Sequence, residues 1–158
     1  MRFYLIALGV IALDQASKQV IIRGLRLGQG IPVIPGFFDI VRSQNRGVAF
    51  GLLNDSASRW RTTLLIIASL VAVVVVSVML WNARKLDRLS RWGLALILGG
   101  AAGNVFDRIV WGRVTDFLLF YIRDYQWPTF NMADSAIVVG SGLLMLDLLR
   151  PKRAANVS

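Results

Sequence analysis

Leu64-Leu65-Ile66-Ile67-Ala68-Ser69-Leu70-Val71-Ala72-Val73-Val74-Val75-Val76-Ser77-Val78-Met79-Leu80 contains no charged residue. In water its valines would favour a strand, but a lone strand in lipid cannot pair its own N–H and C=O groups, so the run reads as a membrane-crossing helix. Crossing a hydrocarbon core of about 30 Å takes about 20 apolar residues at about 1.5 Å each. Working outward, three more segments qualify, which places the expected spans at residues 3–22, 61–81, 92–111 and 132–149. The chain is 56% hydrophobic and 17% charged, well below the roughly 25% charged of soluble domains, which agrees with lipid as its surroundings. The expected fold is therefore a membrane protein, mainly α, with residues 1–158 forming a single membrane-embedded domain.

All five tryptophans, Trp60, Trp81, Trp92, Trp111 and Trp127, fall at or just beyond span ends, where an amphipathic ring meets the interface. Arg2, then Arg84, Lys85, Arg88 and Arg91, then Arg150, Lys152 and Arg153 collect on one side of a four-span chain. By the positive-inside rule that side is the cytoplasm, which puts both termini inside. Arg23, Arg26, Arg42, Arg46 and Arg59 lie in the long outer connection, where the rule counts them less. The net charge of +9 is spread between uncharged runs and forms no single stripe, so no nucleic-acid partner is expected. Met1-Arg2 followed by Phe3 to Leu13 also resembles a cleavable signal, but the apolar character resumes at Val20-Ile21-Ile22 and three spans follow. In the outer connection 23–60, Phe37-Phe38-Asp39-Ile40-Val41 and Val48-Ala49-Phe50 alternate in polarity around Gly47, with Pro32, Pro35 and Gly36 before them. That pattern predicts short strands and a small extracytoplasmic β-sheet.

The chain has no His, Cys or Glu, which removes imidazole bases, thiol nucleophiles, thiolate metal sites and disulfides. If the chain is an enzyme, carboxylates are the expected working groups, all nine of them Asp, and neither a metal nor another cofactor is expected. Asp14 and Lys18 are four apart on one helix face, and Asn104, Asp107, Arg108 and Trp111 share another. An ionised side chain at a span centre costs about 2.5–3.5 kcal/mol, so such residues need partners or water. With Met1 inside, Asp14, Lys18, Asn104, Asp107 and Arg108 fall in the outer halves of their spans, Asp116 follows the third span, and Asn131 and Asp134 open the fourth. Polar groups of three segments thus converge near the outer boundary, as at an intramembrane functional site. Each has a structural reading as well. Asp14 with Lys18, and Asp107 with Arg108, can simply hold helices together; Gly99 and Gly103 can be packing residues, and Asp134 can be a cap. Asp116 has the weakest structural reason to be where it is.

Five stretches together resemble the lipoprotein signal peptidases, the bacterial signal peptidase II family. They are Asp14-Gln15-Ala16-Ser17-Lys18, Asn45-Arg46-Gly47-Val48-Ala49-Phe50, Gly99-Gly100-Ala101-Ala102-Gly103-Asn104-Val105-Phe106-Asp107-Arg108, Gly112-Arg113-Val114-Thr115-Asp116-Phe117 and Phe130-Asn131-Met132-Ala133-Asp134. The resemblance implies a four-helix aspartic endopeptidase of the bacterial inner membrane with its active site at the outer leaflet. Its substrate would be a prolipoprotein, cut before a diacylglyceryl-modified cysteine, and globomycin-type peptides would inhibit it. It also implies that Asp116 and Asp134 are catalytic, that Asn45, Asn104, Arg108 and Asn131 contact substrate or support the pair, and that Asp14, Lys18 and Asp107 are structural. Trp127 before Pro128, and Met132, depart from the usual family pattern without touching a carboxylate.

Two carboxylates within about 3 Å cannot both ionise, so such a pair divides the acid and base roles that peptide hydrolysis needs. A proton- or cation-coupled transporter subunit is the alternative, since buried Asp and Arg also mark ion pathways, and a noncatalytic scaffold is a third reading. A transporter predicts acidic groups distributed through the bilayer, in contrast to the one-sided cluster expected here.

Overall fold

The computed structural model describes residues 2–45, 59–83 and 86–150. The strand expected at Val48-Ala49-Phe50, residues 46–50 of the second motif, and Arg84, Lys85, Lys152 and Arg153 lie outside those residues. There are four helices among the described residues, α1 (Arg2–Gly24), α2 (Arg59–Trp81), α3 (Arg88–Trp111) and α4 (Met132–Leu149), over the four apolar segments, with α3 beginning four residues before residue 92. Each is long and apolar enough to cross a membrane. Large side chains such as Leu5, Leu8, Val71, Val74, Val138 and Leu148 point outward along α1, α2 and α4, as lipid-facing surfaces require.

α3 is the central helix and packs against the other three. Its glycines permit that approach. A Cβ on Gly99 would stand 2.7 Å from the Ala7 carbonyl oxygen of α1, and one on Gly100 would stand 2.3 Å from the Ala133 carbonyl oxygen of α4. Lipid is as apolar as the helix surfaces, so close backbone packing of this kind does the work that hydrophobic burial does in water. The packing reading of Gly99 therefore holds, whereas Gly103 makes room for a side chain, since a Cβ there would stand 2.8 Å from Asp14 Oδ2.

The strands β1 (Gly30–Ile34), β2 (Phe38–Asn45), β3 (Val114–Ile122) and β4 (Tyr125–Gln126) form an antiparallel sheet in the order β1-β2-β3-β4. The expected sheet was confined to connection 23–60; the structure extends it with β3 and β4 from the second outer connection. Val114–Ile122 is rich in β-branched and aromatic residues, which suits a pleated surface. The sheet is fastened to the bundle through both outer connections. Arg42 Nη1 donates to the carbonyls of Ile22 and Leu25, 3.0 and 2.9 Å away, closing the end of α1. Arg42 thus serves as a helix cap rather than as a topology signal. Gly112, with φ 66°, ends α3 in the left-handed region and donates its N–H to the Arg108 carbonyl, so the chain turns into β3 two residues later.

Candidate active site

Asp116 sits on β3 opposite Ser43 of β2 and is only 2% exposed. Asp134 sits in the first turn of α4, where Asn131 is the N-cap. The Asn131 Oδ1 atom accepts the Asp134 backbone N–H at 3.0 Å, and the Asp134 Oδ2 atom accepts the Asn131 backbone N–H at 3.1 Å. This reciprocal capping box settles the helix start and fixes the orientation of the Asp134 carboxyl. The capping role considered for Asp134 is real, but it occupies only one of the two carboxyl oxygens. The other, Oδ1, accepts from Asn104 Nδ2 at 2.8 Å.

Asn131 joins the two acids. Its Nδ2 donates to Asp116 Oδ1 at 2.7 Å and also reaches Asn104 Oδ1 at 3.3 Å, so the buried side-chain amide binds the Asp116 carboxyl directly, while the Asp134 carboxyl is held by the Asn131 backbone N–H and by Asn104. Asn45 adds a side-chain hydrogen bond to Asp116. The Asp116 carboxyl is pushed up from 3.8 to about 6, first by burial and then by the negative charge of Asp134. The bonds from Asn131 and Asn45 and the charge of Lys18 oppose that rise.

Behind the asparagines stands an ionic knot. Lys18 Nζ lies 2.6 Å from Asp14 Oδ2 and 2.6 Å from Asp107 Oδ2, and it donates to Asn104 Oδ1 at 3.2 Å. The pairing of Asp14 with Lys18 is therefore present, and Asp107 joins it rather than Arg108. Asp14 also accepts the Ala133 backbone N–H at 3.0 Å, which ties α1 to the residue beside Asp134. Gln15 Nε2 donates to Asp107 Oδ1 at 2.9 Å. Gln15 belongs to the first motif, but no role was expected of it; its place one residue past Asp14, turned toward α3, was the only signal. Two carboxylates around one buried ammonium satisfy the charges that the lipid would otherwise penalise.

Arg108 stands apart from the acids. It is half-buried, reaches only the Asn104 carbonyl at 3.4 Å, and its buried Nε has no acceptor among the described residues. The structure thus gathers Asn45, Asn104, Asn131, Asp116 and Asp134 into one network, with Asp14, Lys18 and Asp107 supporting it. A cavity of about 190 Å³ lined by Lys18, Asp107, Gln44 and Thr115 opens beside the network. Among the described residues no three acidic side chains are grouped as metal ligands.

Residues 6–150 match the family described as signal peptidase (SPase) II. The chain is similar to the lipoprotein signal peptidase of Solibacter usitatus (strain Ellin6076), 62% identical over 158 residues, covering 99% of this chain and 96% of the relative. It is 45% identical over 151 residues to that of Geobacter sulfurreducens (strain ATCC 51573 / DSM 12127 / PCA), covering 96% and 93% of the two chains. A solved bacterial membrane enzyme structure, obtained by the in meso method, superposes with a TM-score of 0.81 at 28% identity, covering 98% and 94%.

Proposed function

This chain belongs to the signal peptidase II family, and on that premise we propose that it is an aspartic endopeptidase in which Asp116 and Asp134 cut the signal peptide from a prolipoprotein, just before a diacylglyceryl-modified cysteine. The observation that carries the assignment is Asn131, whose side-chain Nδ2 donates to the Asp116 carboxyl and whose backbone N–H donates to the Asp134 carboxyl within the capping box. Asp116, whose carboxyl is raised, holds the proton; Asp134, both of whose oxygens accept N–H bonds, holds the charge. Asp134 takes a proton from water as its oxygen attacks the scissile carbonyl carbon, and Asp116 gives its proton to the carbonyl oxygen. The tetrahedral gem-diol then collapses: the C–N bond breaks, Asp134 passes the proton it took from water to the leaving nitrogen, and Asp116 retakes a proton from the diol hydroxyl as the new carboxyl forms, which restores the pair.

Arg108, with its unsatisfied Nε, is the group we assign to a substrate carbonyl, with Asn45, Asn104 and Asn131 holding the acids and the peptide backbone. The protein is a multi-pass membrane protein. We place it in the bacterial inner membrane with both termini cytoplasmic and the acids at the outer leaflet, where a lipid-anchored substrate meets water. Globomycin-type peptides are expected to compete for the same site. The transporter reading finds no support from the family, and the buried acids Asp14, Asp107 and Asp116 cluster with the partly buried Asp134 in one network rather than spreading through the bilayer.

The test is cleavage of a diacylglyceryl-modified prolipoprotein by purified protein, with and without globomycin. Asp116→Asn and Asp134→Asn are each expected to lower turnover at least roughly hundredfold, the size of a general acid or base contribution, while remaining inserted and helical. Full turnover by either variant would refute the pair.

A further inference from the structure

The larger cavity lies at the opposite end of the bundle from the acids. It measures about 720 Å³ and opens where α1 begins, α2 ends and α3 begins. Two cations face it without a counter-charge. The guanidinium carbon of Arg2 is 5.2 Å from the Phe3 ring centroid, and that of Arg91 is 5.5 Å from the same centroid. A ring face attracts a cation, but it does not neutralise two of them. Among the described residues neither arginine has an ion pair, and the buried Arg91 Nε has no acceptor. Buried donors of this kind are usually paired in folded proteins, so this Nε–H is open to an acceptor that enters the cavity. The rest of the lining includes Leu5, Leu80 and Trp81, apolar surface that continues into the lipid-facing sides of α1 and α2. Trp81 is 77% exposed, as an interfacial indole is.

We propose that this cavity binds an anionic glycerophospholipid, its phosphate held between Arg2 and Arg91 and its acyl chains lying along α1 and α2. Charge complementarity selects the head, and continuity with the lipid-facing surface selects the tails. A second copy of this chain is a poor occupant, because at a net charge of +9 it would bring mostly more cations to two arginines. The pocket belongs to the leaflet at the end away from the acids, so its occupant is structural lipid and not the lipid-modified substrate.

The experiment uses delipidated, detergent-purified protein in native mass spectrometry and thermal unfolding. The probes are phosphatidylglycerol, phosphatidylcholine with the same acyl chains, and inorganic phosphate. Phosphatidylglycerol is expected to be retained roughly tenfold or more over phosphatidylcholine, as two basic side chains on one anionic head supply, and to raise the unfolding temperature more than either other probe. The double variant Arg2→Gln, Arg91→Gln is expected to bring that preference within about twofold. If that variant does not fold, a photoreactive phosphatidylglycerol on the wild-type protein decides, by labelling or failing to label the peptides that carry Arg2 to Leu5 and Leu80 to Ala83. Equal retention of the two lipids, an unchanged preference in the folded double variant, labelling elsewhere, equal stabilisation by inorganic phosphate, or a dimer that replaces bound lipid would each overturn the assignment.

Discussion

Asp116 stands on a strand and Asp134 on the first turn of a helix, so each carboxyl is held by a different kind of backbone while one asparagine spans the gap. Burial and the neighbouring charge both favour the protonated form of Asp116, and its carboxyl rises to about 6. The sign follows directly: the proton is present below about 6 and is lost as pH rises through that value. If this proton is the catalytic one, kcat/KM of the free enzyme falls on the alkaline side with an apparent pKa near 6. A substrate that expels water deepens the burial, so the corresponding limb of kcat is expected at higher pH. An alkaline limb that stays in place when Asp134 is changed to Glu, or that is absent between pH 5 and 8, would show that another group carries the proton. Folding feels the same shift, since the charged form is penalised in the folded state: stability is lost as pH rises from 3.8 toward 6. Asp116→Asn is therefore expected to unfold no earlier than the parent above that range, and a markedly lower unfolding temperature at pH 8 would make Asp116 a structural residue.

At the level of elements, the spacing between α3 and α4 is set by glycine. A methyl on Gly100 meets the carbonyl oxygen of Ala133, the residue beside Asp134, whose own N–H is held by Asp14. Gly100→Ala is thus expected to cost about 1–3 kcal/mol, the usual range for overpacking, and to lower turnover by shifting the first turn of α4. Gly9→Ala, where a methyl meets nothing within 4 Å, is the control and should leave the unfolding temperature unchanged or slightly higher. Equal effects of the two changes would argue against close packing as the spacer. The helices were legible in the sequence because apolar length is a strong signal and lipid admits few alternatives. β3 was not. Its run Val114–Ile122 follows a span directly and carries one acid among apolar residues, so it reads as the continuation of a connection; what makes it a strand is pairing with β2, whose nearest partner, Asn45 opposite Val114, lies far back in the chain. Composition pointed to carboxylates and the family resemblance to Asp116 and Asp134 among them, whereas the amide network between the two depends on Asn104 and Asn131 meeting across two helices.

For the whole molecule, the four spans divide the chain into two ends of different chemistry, a carboxylate and amide network at one and two arginines over a cavity at the other. The proposed orientation is open to direct measurement, since the natural chain has no cysteine to confuse labelling. Asp124→Cys, exposed beside the sheet, is expected to react with a membrane-impermeant maleimide in intact spheroplasts, and Asn82→Cys, exposed between α2 and α3, only after permeabilisation. The reverse pattern would invert the topology and move the acids to the cytoplasmic leaflet. The basic residues predict this sidedness, yet Arg42, which closes α1, shows that a charge in a loop can be there for a carbonyl rather than for the membrane potential. The division of labour between strand and helix has one more implication. Because one proposed catalytic acid rides on the sheet and the other on the bundle, with Gly112 at the seam, a compound wedged into that seam is expected to disarm the enzyme by prying its two halves out of alignment while both acids stay chemically intact.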